Sequence, residues 1–323
     1  MKKNLLLISV PVLIFILSFP IHSIEACKSL SPDEPGPFQI GFYKVTYNDP
    51  IYGRYFATIR YPAKYNGFLA PKDFSDAPYP GIVISNGFAG SEWNIKWIPI
   101  HLTSYGYITI CFTPPNKHLG DTTQWANGFI RGIEKLKTEN SLRFSPISHM
   151  LDIESFGSVG LSMGGAGCIE ATGSFNTEID ASVALAPASS NSSIDAAKNI
   201  QVPIQIQVGN NDGMVTPNRV IPYYTDYISD MINKEYMSIT GANHIGFVDE
   251  FFARFAEWVG LDKLKGIEFE EQRRISQKYF TSWFQYHLRG LDEYFTYIFG
   301  EEAWNDFENG ILSSLMFNYN NIR

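Results

Sequence analysis

From Gly81 onward the hydrophobic positions fall into short unbroken apolar runs separated by amphipathic stretches. Strands are predicted at Gly81 to Ser85, Tyr107 to Phe112, Phe156 to Val159, Ala181 to Ala186, Pro203 to Val208 and Glu235 to Ile239. Helices are predicted at Trp93 to Ser104, Thr122 to Leu136, Met163 to Thr172, Arg219 to Met231 and Val248 to Val259. Continuous apolar runs suit strands buried on both faces, and their alternation with helices predicts an α/β fold: a mostly parallel central sheet with helices on both faces. Ahead of it, Phe38 to Tyr47 and Tyr55 to Tyr61 read as an N-terminal antiparallel hairpin turning at Asn48, Asp49, Pro50 and Gly53. After Glu268, Phe280, Phe284, His287, Leu291, Phe295 and Ile298 recur at three- and four-residue spacing, which predicts extra C-terminal helices. The division that follows is 1–26 leader, 36–262 the main α/β domain and 263–323 a helical extension docked on the same domain.

The leader follows from Lys2 and Lys3, an apolar run from Leu5 to Ile21, and Ala26 before Cys27. This is the layout of a secretory signal peptide, with an uncleaved N-terminal anchor as the alternative, so the chain is expected to be secreted or extracytoplasmic. The net charge of -8 and 18% charged residues exclude a nucleic-acid surface, which needs clustered Lys and Arg. Of the three cysteines, Cys111 and Cys168 fall inside predicted elements and read as buried thiols; no metal-ligand spacing exists among them, and neither metal nor cofactor is called for. Aromatic residues make up 15% of the chain, and 19 of them lie from Phe247 onward, on the stripes of the terminal helices. That concentration points to a docked helical layer rather than an aromatic cleft.

The chemistry centres on Gly160-Leu161-Ser162-Met163-Gly164, which fits G-x-S-x-G between a predicted strand and a predicted helix. In that setting a tight turn pushes a serine hydroxyl into the open. A serine needs a general base held by a carboxylate, in the chain order Ser, acid, His. Only His244 and His287 follow Ser162, and His287 falls mid-helix; His244, in a loop just after a strand, is the candidate base. Asp212 stands just past the C-terminal end of the strand Pro203 to Val208, where open α/β sheets build their sites, and is the candidate acid; a turn aspartate stabilising its own loop is the alternative. Oxyanion donors are expected from the backbone amides of Met163 and, in the loop Asn86 to Gly90, of Phe88. Met214 and the loop Thr113 to Asp121, with His118, are candidates for the cleft wall, and Trp97 for packing the first helix on the sheet. Asn191-Ser192-Ser193 is a glycosylation sequon if the host modifies exported proteins.

Asn86-Gly87-Phe88, Asn94-Ile95-Lys96-Trp97, Gly160 to Gly165, Asn211-Asp212 and Asn243-His244 together resemble the dienelactone-hydrolase-like branch of α/β-hydrolases that includes bacterial cutinases and polyester (PET) hydrolases. The resemblance covers about residues 38 to 260. It implies an α/β-hydrolase fold and a serine carboxylic-ester hydrolase with Ser162, Asp212 and His244 as triad, Phe88 and Met163 as oxyanion hole, and a small ester or a polyester as substrate. Phe88, Leu161 and Ala188, with Met214 as a candidate cleft wall, are the expected substrate contacts. Those polyester hydrolases carry His or Trp before the serine and Trp after an Ala-Pro pair; here these are Leu161 and Ala188. Their C-terminal disulfide has no counterpart, since no cysteine follows Cys168. A lipase or peptidase of the same fold, and a catalytically silent binding protein, are the competing readings.

Overall fold

The computed structural model describes residues 30–174 and 177–320; the leader and Cys27 lie outside them. Ten strands form one sheet: β1 (Gln39–Asp49), β2 (Gly53–Ala63), β3 (Gly67–Phe68), β4 (Tyr79–Ser85), β5 (Ile108–Thr113), β6 (Leu151–Leu161), β7 (Ala181–Leu185), β8 (Ile204–Gly209), β9 (Lys234–Ile239) and β10 (Leu312–Asn318). Their order across the sheet is β10-β9-β8-β7-β6-β4-β5-β2-β1-β3. The six strands β4 to β9 run parallel, β1 and β2 form the expected hairpin, and β2 joins β5 antiparallel. The helices are α1 (Trp97–Ser104), α2 (Thr123–Ser141), α3 (Met163–Thr172), α4 (Asn191–Ala197), α5 (Pro217–Pro222), α6 (Glu250–Trp258), α7 (Phe269–His287), α8 (Phe295–Ile298) and α9 (Glu301–Glu308).

Alternate residues of the central strands feed two cores. Ile82 and Ile84 of β4 point with α1 and α7, whereas Val83 joins Phe129, Ile133 and Leu136 of α2 on the other face. The helix α7 has no Gly or Pro and opens on Glu270 and Glu271, which suit the positive end of its dipole. Its Tyr279, Phe280, Trp283 and Phe284 are fully buried. Fully burying a side chain of this kind is worth about 1.5–3 kcal/mol, so α7 is one of the larger apolar contributions to the fold.

Three local differences from the sequence pattern have physical causes. The helix expected over Arg219 to Met231 is only α5, followed by one π-helical turn at Tyr223–Tyr227, because Pro222 has no amide to continue the ladder. The short α4 escapes the pattern because it is held by its start: the Ser190 Oγ accepts from the Ser193 amide at 3.1 Å. The extension read as wholly helical ends in β10, which pairs antiparallel with β9 from Leu312↔Ile239 to Asn318↔Lys234. A register shift between Leu312 and Ser314 places the buried Leu312 and Leu315 three residues apart, a spacing that imitates a helix.

Candidate active site

The strand β6 turns into α3 at Ser162, whose backbone is held at φ 58°, ψ -115°. A non-glycine residue in that region is strained, and such strain persists only where the surroundings enforce it. Here they do: the Ser162 amide donates to Leu185 O at 2.9 Å, and Ser162 O accepts from the amides of Ala166 and Ala188. The turn closes so tightly that a Cβ on Gly160 would stand 2.0 Å from Gly164 O, and one on Gly164 would stand 2.5 Å from Asn86 O. Glycine is required at both positions for space.

Asp212 follows β8 and is fully buried. Its Oδ1 accepts from the amides of Met214 (2.9 Å) and Val215 (2.6 Å), and its Oδ2 is 2.7 Å from His244 Nδ1. All three contacts suit a carboxylate acceptor, so Nδ1 is the donor to Oδ2 and Nε2 is the ring nitrogen left for another partner. The turn aspartate and the histidine partner are thus one residue: two backbone amides hold Oδ1 while Oδ2 holds the imidazole.

His244 follows β9 and begins the 3-10 turn Ile245–Phe247. Its neighbours, rather than its own strand, fix it. Gln272 of α7 takes the Asn243 amide on Oε1 at 3.1 Å and donates Nε2–H to Asn243 O at 2.8 Å. Asp262 joins the two loops, accepting from the amides of Gly213 (2.8 Å) and Ile245 (3.1 Å). Trp97 Nε1 donates to Phe247 O at 3.0 Å, so this residue clamps the histidine loop as well as packing on Phe280. Gln272, Asp262 and this role of Trp97 escape sequence reasoning: each acts across a long sequence separation and belongs to no motif.

The loop after β4 reaches Ser162 from the other side. A Cβ on Gly87 would lie 2.6 Å from Ser162 Cβ, so the loop passes at van der Waals contact. Asn86 is anchored by Trp125 of α2, whose Nε1 donates to Asn86 O at 2.7 Å, and its Oδ1 takes the Gly87 amide at 2.7 Å. Among the described residues neither the Phe88 amide nor the Met163 amide is used in a backbone hydrogen bond. Met163 opens α3, where unpaired N–H groups and the helix dipole both favour negative charge.

Ser162 and His244 line one cleft of about 430 Å³. Leu161 lies at its floor, and Phe88 and Met214 stand half in solvent at its mouth. Ala188, expected at a substrate-contact position, does not line it; its amide binds Ser162 O and its carbonyl takes Tyr223 OH at 3.2 Å, so it supports the turn. His118 lies behind Phe88, edge to face at 5.9 Å, and His287 packs on Trp283 within the terminal core. The opposite wall is aromatic after all: Phe252 and Phe255 of α6, with Leu261, close the cleft. Cys111 and Cys168 are free and buried, the Cys168 thiol pushed up to about 11 by burial. Among the described residues no group of three or more His, Cys, Asp or Glu is placed to hold a metal, and no helix is long and apolar enough to cross a membrane.

A mixed sheet with six parallel strands, a strained serine at the β6–α3 turn, and acid and histidine after β8 and β9 define an α/β-hydrolase. The family model described as PETase, PET hydrolase-like, matches residues 35–257, and the chain belongs to that family. It is also similar to Cutinase est2 of Thermobifida alba, 25% identical over 166 residues, 51% of this chain and 53% of that protein. The chain thus spans about half the length of that curated relative. The family match ends inside α6, before Asp262 and Gln272.

Proposed function

We propose that the protein is an exported serine carboxylic-ester hydrolase working through Ser162, His244 and Asp212. The observation that carries this reading is the opening of the strained Ser162 turn onto the same cleft as an imidazole held by a buried carboxylate at 2.7 Å. Family membership supports it, and so does the name of the cutinase relative.

In this mechanism His244 Nε2 takes the Ser162 proton as Oγ attacks the ester carbonyl carbon. The carbonyl oxygen becomes the oxyanion, for which the amides of Phe88 and Met163 are the donors; each such donor is worth about 10²–10³ in rate. Asp212 keeps the imidazole in the required tautomer and stabilises the imidazolium. His244 returns the proton to the departing alcohol, leaving an acyl group on Ser162. Water, deprotonated by His244, then attacks the acyl carbon; the bond to Ser162 Oγ breaks, His244 returns the proton to Oγ, and the carboxylic acid leaves.

The test is hydrolysis of p-nitrophenyl acetate together with labelling by a fluorophosphonate. Wild-type protein should be labelled at Ser162 and turn over the ester, and Ser162→Ala should do neither. An unlabelled, inactive wild type would favour a silent scaffold, and full activity in Ser162→Ala would place the chemistry elsewhere.

A further inference from the structure

Where α1 packs on β1 and β2, a trough of about 450 Å³ opens between Ile40, Phe42, Trp93 and Ile100. Phe42 and Arg60 stand opposite each other in the β1–β2 ladder, so both side chains leave the sheet on this face. Arg60 lines the trough while only 6% exposed, and its Nη1 has no hydrogen-bond partner among the described residues. A buried guanidinium is costly to leave unpaired, so this one calls for a partner. The acids within electrostatic reach, Glu92 and Asp249, are not hydrogen-bonded to it. Glu92 Oε2 instead accepts from Thr113 Oγ1. Asp249 Oδ2 is itself without a hydrogen-bond partner among the described residues, and burial pushes that carboxyl above its ordinary range, towards the neutral form.

We propose that the trough is a binding site for an organic monocarboxylate with an apolar body, whose carboxylate pairs with Arg60 and Lys96. No acidic residue lines it, whereas Arg60 and Lys96 do, and Lys44 Nζ stands over the Trp93 ring at 5.1 Å. The remaining polar side chain, Asn66, is already spent: its Oδ1 accepts the Ile40 amide at 2.7 Å and its Nδ2 donates to Gln39 Oε1 at 2.6 Å. The free groups are therefore cationic donors, and the planar guanidinium fork matches a carboxylate. Between them the walls are apolar, which suits an alkyl or aryl body and leaves nothing for the hydroxyls of a sugar. A second cavity of about 410 Å³ shares Ile40, Asn66, Lys96 and Ile100 and runs on along Phe38 and Trp97 to Asp249. The body has room on that side, and the charged end stays at Arg60, away from the Asp249 carboxyl. Neither cavity shares a lining residue with the cleft at Ser162, so the site is separate from it. The inference stands without the esterase reading, although an acid of this kind is the class of product that ester hydrolysis releases.

Octanoate titrated into the full chain by isothermal calorimetry tests this, beside 1-octanol, which has the body without the charge, and inorganic phosphate, which has charge without the body. Octanoate should bind at least about tenfold more tightly than either, the scale of one charge-assisted hydrogen bond. Arg60→Met should weaken octanoate by at least about tenfold and leave octanol unchanged. Its unfolding midpoint should hold or rise, because exchanging a buried unpaired charge for an apolar side chain is neutral or stabilising. Octanoate should raise the midpoint of the parent and not that of Arg60→Met. Lys96→Glu, at an exposed position, should weaken octanoate in the same direction and decides the question if Arg60→Met does not fold. Octanoate affinity unchanged in Arg60→Met, or in Lys96→Glu where the first variant does not fold, places the acid elsewhere and overturns the proposal. Equal binding of octanol, or tighter binding of phosphate, overturns it too. A lower midpoint in Arg60→Met with octanoate affinity unchanged would mark Arg60 as a purely structural residue.

Discussion

At the scale of single residues the site depends on close approach more than on side-chain chemistry. Gly87 has no functional group, yet a methyl there would overlap Ser162 Cβ at 2.6 Å. Gly87→Ala should therefore displace the Phe88 amide, lowering kcat on a soluble ester by about 10²-fold, the value of one oxyanion donor, while KM and the unfolding midpoint change little. Stopped-flow acylation rates check this. Gln272 acts through another residue. Gln272→Met keeps the volume but strands the buried amide and carbonyl of Asn243, which should cost about 1–3 kcal/mol in urea unfolding. It should also slow fluorophosphonate labelling of Ser162, a readout that a purely structural role would leave unmoved. Ser162, Asp212 and His244 were legible as a chain order with strand-end positions. Gln272 and Asp262 were not, because a hydrogen bond to a loop backbone leaves no pattern in sequence.

At the scale of elements, local periodicity is read correctly where burial enforces it. The predicted α3 coincides with Met163–Thr172, and each parallel strand overlaps its apolar run, although β6 starts at Leu151, ahead of the predicted Phe156. The misreadings are elements whose limits come from elsewhere: β10 owes its existence to the open edge of β9, and its bulge hides the two-residue alternation. A chain stopped at Gly310 should expose the β9 edge and remove buried Leu312 and Leu315. We expect a lower unfolding midpoint and a tendency to aggregate, seen by light scattering during thermal ramps. A truncation as stable and monomeric as the parent would show β10 to be dispensable. The terminal aromatic excess divides the same way: α7 places its rings in the core, while α6, also aromatic-rich, leaves its rings exposed, with Phe252 and Phe255 lining the cleft.

For the whole molecule, the buried polar layer beneath α7 makes stability pH-dependent. Glu235 is fully buried; desolvation pushes its carboxyl well above the ordinary range, and the Gln205 Nε2 hydrogen bond to Oε2 at 2.7 Å only partly offsets this. Its Oε1 has no hydrogen-bond partner among the described residues. A folded carboxyl of raised pKa keeps its proton where the unfolded chain has lost it. Stability therefore falls as pH rises above the unfolded value near 4.5. Glu235→Gln removes that proton linkage, so its unfolding midpoint should gain on the wild type between pH 5 and pH 8.5. A difference that stays constant across that range would show that Glu235 does not titrate in this way.

The sequence by itself determined the parallel core of the sheet, the N-terminal hairpin and the order of serine, acid and histidine, because each rests on short-range rules: apolar runs, glycine-relieved turns and strand ends. Tertiary structure alone decided which groups hold the site in register and what faces it. Asp212 reaches His244 across 32 residues, Trp125 anchors Asn86 across 39, and α6 brings Phe252 and Phe255 over Ser162. Such contacts are set by how helices and loops pack on the finished sheet, and residues this far apart leave no periodic trace in the chain.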